Sequence, residues 1–405
     1  MSKLNLDLPI ILIDTSYWLY YRFFSLRNWY YRAYPEKYSN NDKNSFNSDY
    51  NWFEDEIFMS KYKKLFTENI KKICKKFKTK MENVVFCIDC PHNNIWRKTY
   101  ITKVNEIITS DNNKKNEKNK KNQTEKQTEN KTDNQTENQT ENQTENQTEN
   151  QEQEQEQEQI QELIKEYKGT RLESHKKNRF NSFNIFNYMK TTFLPTLKDN
   201  NNNSIKILAC SQCEADDIIG YLTLYIKNLS RETKPMLYIL ANDNDYLQVC
   251  NQNVKLINGI GKIISAAQEE NTNDTNNTND NNYNIGDYYL LSKILLGDKS
   301  DNIKCCNINM GYICSRIPNN NFKNVGKSCI NKIFSTPELV TLFYTLLINI
   351  RNNTIDNTID NTIDNININK IIDINKFKHN CMMMDFQMIP IELKTKLTIL
   401  FTQLI

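Results

Sequence analysis

Four short apolar runs punctuate an otherwise polar chain: Ile10 to Ile13, Val84 to Ile88, Ile205 to Ala209 and Met236 to Ala241. Nearly unbroken runs of this length are what strands buried on both faces require. Between the first two, Tyr62, Leu65, Phe66, Ile70, Ile73 and Phe77 recur at helical spacing among lysines, which predicts an amphipathic helix. Strands separated by helical segments predict a parallel sheet. Beyond the fourth run the strand signal fades, and Tyr289, Leu290, Ile294 and Leu295 open a mostly helical C-terminal third.

Three polar stretches interrupt this pattern. Residues 109–159 are almost wholly Asn, Lys, Gln, Thr and Glu and include four tandem QTEN units from Gln135 to Asn150. Such a composition cannot offset its own ordering entropy and predicts disorder. A second polar insert covers 268–284, and three NTID units run from Asn353 to Asp364. All three read as loop insertions, since their periods are far too short for a stacked-repeat architecture.

Composition narrows the chemistry mainly by exclusion. A net charge of +3 over 405 residues announces no nucleic-acid partner, so that case must rest on local clusters. Eleven cysteines behind an N-terminal apolar run too short for a signal or a span point to a soluble, intracellular protein with reduced thiols. Only His92, His175 and His379 are present, none in a metal-ligand or triad setting, which disfavours zinc hydrolysis and histidine base catalysis. Cys87-x-x-Cys90 and Cys210-x-x-Cys213 form two CxxC pairs, but Cys87 lies within an apolar run and reads as a small hydrophobe. Gly259-Ile-Gly-Lys262 is too short for a phosphate-binding Walker loop.

Acids gather where the apolar runs end. Asp14 and Asp89 follow the first two runs, Glu214, Asp216 and Asp217 follow the third, and Asp243 and Asp245 the fourth. In a parallel sheet the carboxyl ends of strands share one edge, so these side chains should converge. Asp243 and Asp245, two apart, would face the same side if the strand continued through them. Ser211-Gln-Cys-Glu214 reads as a capping box opening a helix, with Asp217 one turn on. Each acid alone could be an ordinary turn former or cap. Together they require cations: two carboxylates ~4 Å apart repel by about 4 kcal/mol even at an effective dielectric of ~20. An oxygen-only ligand set suits Mg²⁺, with Mn²⁺ as a substitute.

Six motifs then fall into a familiar order. They are Ile13-Asp14 with the aromatic helix through Leu26; Phe86-Cys-Ile-Asp89 followed by Trp96-Arg97-Lys98; Tyr167-Lys168-Gly-Thr-Arg171; Glu214-Ala-Asp-Asp-Ile-Ile-Gly220; Ala241-Asn-Asp243-Asn-Asp245; and Gly297-Asp298-Lys-Ser-Asp301-Asn-Ile303. In this order they resemble the 5'-nuclease family, which includes flap endonucleases, the 5'-nuclease domain of bacterial DNA polymerase I and the phage RNase H. Met384-Asp-Phe-Gln-Met-Ile-Pro390 looks most like the phage RNase H branch.

The resemblance implies an α/β fold: a parallel-sheet, PIN-like (resolvase-like) nuclease domain followed by a mostly helical helix-two-turn-helix domain. The corresponding layout is a nuclease part at 1–108, the insert 109–159, a second nuclease part at 160–267, the insert 268–284, and a helical DNA-binding domain at 285–405 with a repeat insert at 352–365. It implies a structure-selective 5'-3' exonuclease or flap endonuclease working by two Mg²⁺ ions in DNA replication or repair. Asp14, Asp89, Glu214 and Asp216 would hold one ion, Asp243, Asp245 and Asp301 the other, with Asp217 and Asp298 in or beside the same ligand set. Lys98 would steady the scissile phosphate, and Tyr20, Arg97, Tyr167, Lys168, Arg171 and Lys327 would contact DNA. Expected partners are DNA with 5' flaps, nicks or RNA primers, together with replication proteins, for a monomer that avoids membranes. The compartment reads as cytoplasmic or nuclear, and the Asn, Lys and Ile bias fits a large DNA virus. One departure stands out. Lys304-Cys-Cys-Asn replaces the short Pro-Gly-rich hairpin, and the nearest glycine-lysine turn, Val325-Gly-Lys327, comes later. The alternatives are a PIN-type RNase, which lacks the Asp298 to Ile303 element, and an inactive nucleic-acid-binding scaffold, which would have lost acids.

Overall fold

The computed structural model describes residues 3–35, 50–91, 94–103, 183–199, 201–264, 285–309, 311–313, 326–353, 362–363, 366–367 and 371–405. The inserts 109–159 and 268–284 lie outside these residues, as do Tyr167, Lys168 and Arg171.

All four apolar runs form strands: β1 (Ile10–Asp14), β2 (Val84–Ile88), β3 (Lys206–Ala209) and β4 (Leu237–Leu240). A fifth, β5 (Val254–Ile257), adds an edge. Its run Val-Lys-Leu-Ile is too short and too interrupted to stand out in the sequence. The strands are parallel in the order β3-β2-β1-β4-β5, with Leu12 of β1 in register with both Val85 and Ile239. The period-2 alternation of strand side chains feeds two cores. Ile10, Leu12, Val85, Cys87 and Ile239 join one, and Ile11, Ile13, Val84, Phe86 and Leu240 join the other.

On the second face lie α1 (Thr15–Ala33) and α2 (Glu56–Lys76). The expected stripe on α2 is real: Tyr62, Phe66, Ile70 and Ile73 are buried, while Leu65 and Phe77 pack at its edge. Some of its lysines also serve the fold. Lys61 sits 3.3 Å above the Trp29 ring, and Lys76 donates to the Gly261 carbonyl at 2.6 Å.

The first face carries α4 (Ala215–Lys227), which follows α3 (Phe183–Tyr188) in the chain. Its N-cap is Glu214, three residues beyond the Ser211 expected from the capping-box pattern. The reason is a tight turn in which Cys213 N–H donates to the Cys210 carbonyl and Gln212 adopts φ 70°, postponing the helix.

The C-terminal third is helical: α5 (Ile285–Leu296), α6 (Lys327–Phe334), α7 (Pro337–Arg351), α8 (Ile374–Met384) and α9 (Ile391–Leu404). Residues of α5 to α8 build a third core that includes Leu291, Ile330, Phe343 and Phe377. The chain then returns to the sheet, where α9 packs on α4 and Leu4 N–H donates to the Leu404 carbonyl. Phe386 lies so close to α4 that a Cβ at Gly220 would meet its ring at 2.4 Å, which explains a glycine within an otherwise apolar helix. The repeat insert is not wholly irregular, since Thr362–Ile363 pairs antiparallel with Ile366–Asn367. No single helix among the described residues is long and apolar enough to cross a membrane.

Candidate metal centre

The strand order reverses direction between β1 and β4, and an open α/β sheet leaves its binding crevice beyond the strand ends at such a point. Asp14 closes β1 there, Asp89 follows β2 and Asp243 follows β4. Asp14 Oδ1 accepts from Tyr17 N–H at 2.9 Å, so the acid also caps α1. Asp89 Oδ1 accepts from Ala215 N–H at 2.8 Å, and its Oδ2 accepts from the Ser16 hydroxyl. The first turn of α4 is thereby tied to the end of β2.

This group is short of positive charge. Burial, then Asp89, then Asp243 push the Asp14 carboxyl up to about 7, against the Tyr17 N–H and Lys190, which pull it down. Among the described residues no lysine or arginine forms a direct ion pair with Asp14, Asp89 or Asp243. Clustered carboxylate oxygens without a counter-cation are the donor set a hard divalent ion takes. Asp14 feels both Asp89 and Asp243, while among the described residues the acids whose oxygens all lie within 4.8 Å of one another are Glu214, Asp216 and Asp217, beside Asp89. Because the fold favours protonated Asp14, that contribution to metal-free stability is complete below the ordinary value of 3.8 and lost as pH rises through about 7. An ion that binds the ionised carboxylate displaces the proton. Adding Mg²⁺ should therefore raise Tm more at about pH 8 than at about pH 5, and equal increments would remove Asp14 from the ligand set.

A second group is already compensated. β4 ends before Asp243, and residues Asn244–Val249 form a 3₁₀ turn capped by the Asp243 side chain through Asp245 N–H at 3.0 Å. The strand thus does not continue through Asp243 and Asp245, and the condition under which the two would face one side is not met. The turn brings Asp245 to Lys293 of α5, whose ammonium also meets Asp298 Oδ2 at 2.8 Å. Burial, then Lys293 in opposition, then Asp243 leave Asp245 at about 6. At Asp298 burial is outweighed by bonds from Lys293 and Ser300, which hold it down at about 2. Asp298 is thus the acid that the Gly297 to Ile303 element brings to Asp245, while Asp301 lies buried one turn on.

The third group surrounds Arg97. Glu214, Asp216 and Asp217 each offer an oxygen within 4.8 Å of the others. Arg97 lies 2.8 Å from Asp217 Oδ1, 3.2 Å from Glu214 Oε2 and 3.9 Å from Asp216 Oδ1. It also donates from Nε to the Met383 carbonyl at 2.9 Å, and it is only 1% exposed. Its guanidinium is thus engaged by these acids and buried, where the resemblance implied a DNA contact. Asp217 lies beside the ligand set, as the resemblance allowed. Its Oδ2 accepts from Trp96 Nε1 and Glu214 N–H, both at 3.0 Å, so this fully buried carboxylate braces the α4 N-terminus.

Tyr20 stands near Asp89 with its ring centroid 4.3 Å from that of Phe186, and it keeps 39% exposure. Lys98 is half-buried on the helical segment 96–103, and Lys327 is exposed at the first position of α6. In the first CxxC pair, burial pushes the Cys90 thiol up to about 11 and the Cys87 thiol well above its ordinary value. Three residues escaped the sequence reading. Lys293 had a signal, a lone charge inside the apolar run from Tyr289 to Leu296. Ser16 and Lys190 had none, because their neighbours across the site are far away in sequence.

No family model matches the chain, and no curated protein matches it. Solved structures do. The chain is similar to the 5'-exonuclease of bacteriophage T5. The zinc-bound form of that protein is 13% identical at a TM-score of 0.42, covering 98% of this chain and 99% of that one. The flap endonuclease of the same phage, in a complex with DNA and metal ions, is 12% identical at 0.40, covering 98% of each chain. Likeness at this level assigns no role to any residue here; the roles rest on the chain's own geometry.

Proposed function

We propose that the chain is a divalent-metal-dependent 5'-nuclease, a structure-selective 5'-3' exonuclease and flap endonuclease acting on DNA and RNA-primed ends in replication or repair. The observation that carries this reading is the uncompensated acid group at the sheet's reversal point, where Asp14 is pushed up to about 7. A fold that only needed turn formers would not gather Asp14, Asp89 and Asp243 against their mutual repulsion.

Asp14, Asp89, Glu214 and Asp216 would hold one Mg²⁺ ion, and Asp243, Asp245 and Asp301 the other. Bound ions supply an activated water and stabilise the leaving 3'-oxygen. The chain's own residues do the rest. Arg97 and Asp217 fix the α4 N-terminus, so Glu214 and Asp216 keep their place relative to Asp89. Tyr20 offers a partly exposed ring on which a base near the cut stacks. Lys98 attracts the phosphate backbone, a contact that positions and does not read sequence. A second ion at Asp245 must share that carboxylate with Lys293.

The experiment is cleavage of a 5'-labelled flap duplex and a matched RNA-primed duplex, with Mg²⁺ or with EDTA, by wild type and Asp243→Ala. Asp243 is exposed and bears no fold contact beyond its own turn, so the variant should fold and bind DNA but not cut. Cleavage that persists in EDTA or in the variant would sink the reading.

A further inference from the structure

Resting on that reading, we propose that Lys190 is a phosphate-contacting residue of the cleavage site, held ready by Ser16. After α3 the helix widens into a π turn, Met189–Phe193, and such turns recur at functional sites. The turn presents Lys190, whose Nζ lies 2.8 Å from Ser16 Oγ. Ser16 in turn bonds Asp89. The direction of both bonds is fixed by chemistry: an ammonium only donates and an ionised carboxylate only accepts. Ser16 therefore accepts a hydrogen bond from Lys190 and donates one to Asp89.

That leaves two of the three N–H donors of Lys190 without an acceptor among the described residues. The ammonium is half-buried and close enough to lower the Asp14 carboxyl, yet it forms no ion pair with any described acid. Lys293, by contrast, closes directly onto the Asp245 and Asp298 carboxylates. Lys190 instead stands one hydroxyl away from the acids, with donors to spare where a scissile phosphate must approach them. A non-bridging phosphate oxygen satisfies those donors.

The test uses Lys190→Ala, Lys190→Arg and Ser16→Ala in the full chain, after melting curves establish that each folds. Binding of the flap duplex in EDTA across a salt series should lose about one phosphate contact in Lys190→Ala, lowering the slope of log affinity against log salt by about one. Cleavage with Mg²⁺ should fall by about 10- to 100-fold, with partial rescue by arginine. The Mg²⁺-induced rise in Tm without DNA should not shrink, because a cation has been removed from beside the acids. If Ser16→Ala and Lys190→Ala both weaken Mg²⁺ binding while the salt slope stays at the wild-type value, Lys190 only orders Asp89 and the proposal fails. If wild type cuts and Lys190→Ala matches it in slope and rate, the phosphate contact falls while the nuclease reading stands. If wild type cuts nothing but the slope still depends on Lys190, the contact stands and the nuclease reading falls.

Discussion

Asp14→Asn is expected to abolish metal-dependent cleavage and, at about pH 8 in EDTA, to make the protein more stable than wild type. Both effects have one origin. Asparagine can still accept the Tyr17 N–H and keep α1 capped, since Asn is as good an N-cap as Asp. What it removes is a charge that burial and Asp89 disfavour strongly enough to push Asp14 up to about 7. Relief of that cost is on the order of 4 kcal/mol at a pH where wild-type Asp14 must ionise. Cleavage should drop by more than about 100-fold, the upper cost of losing a group that merely orients a ligand. The checks are a melting curve in EDTA and a flap-cleavage assay in Mg²⁺. An acid kept for the fold would give the opposite signature, with stability lost and cleavage following it down.

Arg97→Met should be the most destabilising single change at the site. Its guanidinium is the counter-charge to buried Asp217 and reaches Glu214, Asp216 and the Met383 carbonyl as well. Removing one partner of a buried pair strands the other and costs about 3–5 kcal/mol, or on the order of 10 °C in Tm. Arg97→Lys should recover little, because one ammonium cannot span acids and carbonyl in the planar fork that Arg97 provides. The Arg97→Met, Asp217→Asn double variant should be more stable than Arg97→Met alone, since the stranded charge is gone. A double variant as unstable as the sum of its parts would mean that Arg97 serves mainly the Met383 contact.

The two substitutions separate two kinds of acid that look alike in sequence. Asp216 and Asp217 are adjacent, yet Asp217 is fully buried and engaged by Trp96 and Arg97, while Asp216 keeps exposure toward the crevice. Asp298 and Asp301 share one short motif, and only Asp298 is reached by Lys293. Helical and turn geometry sends neighbouring side chains in different directions, and composition carries no record of which way each one goes.

The sequence by itself determined the parallel sheet, because runs such as Ile10 to Ile13 and Val84 to Ile88 need burial on both faces wherever they lie. It also put Asp14, Asp89 and Asp243 at one edge of that sheet, because the carboxyl ends of parallel strands share an edge. Only the tertiary structure decided which charges those acids would answer to. Arg97, Lys190 and Lys293 come from a helix after β2, a π turn before β3 and a helix after β5, and the pairings depend on three-dimensional packing that no local period encodes. Burial then fixes the consequence: a carboxylate beside a buried guanidinium acts as a brace, and one with none in reach is left with the donor character a cation would take.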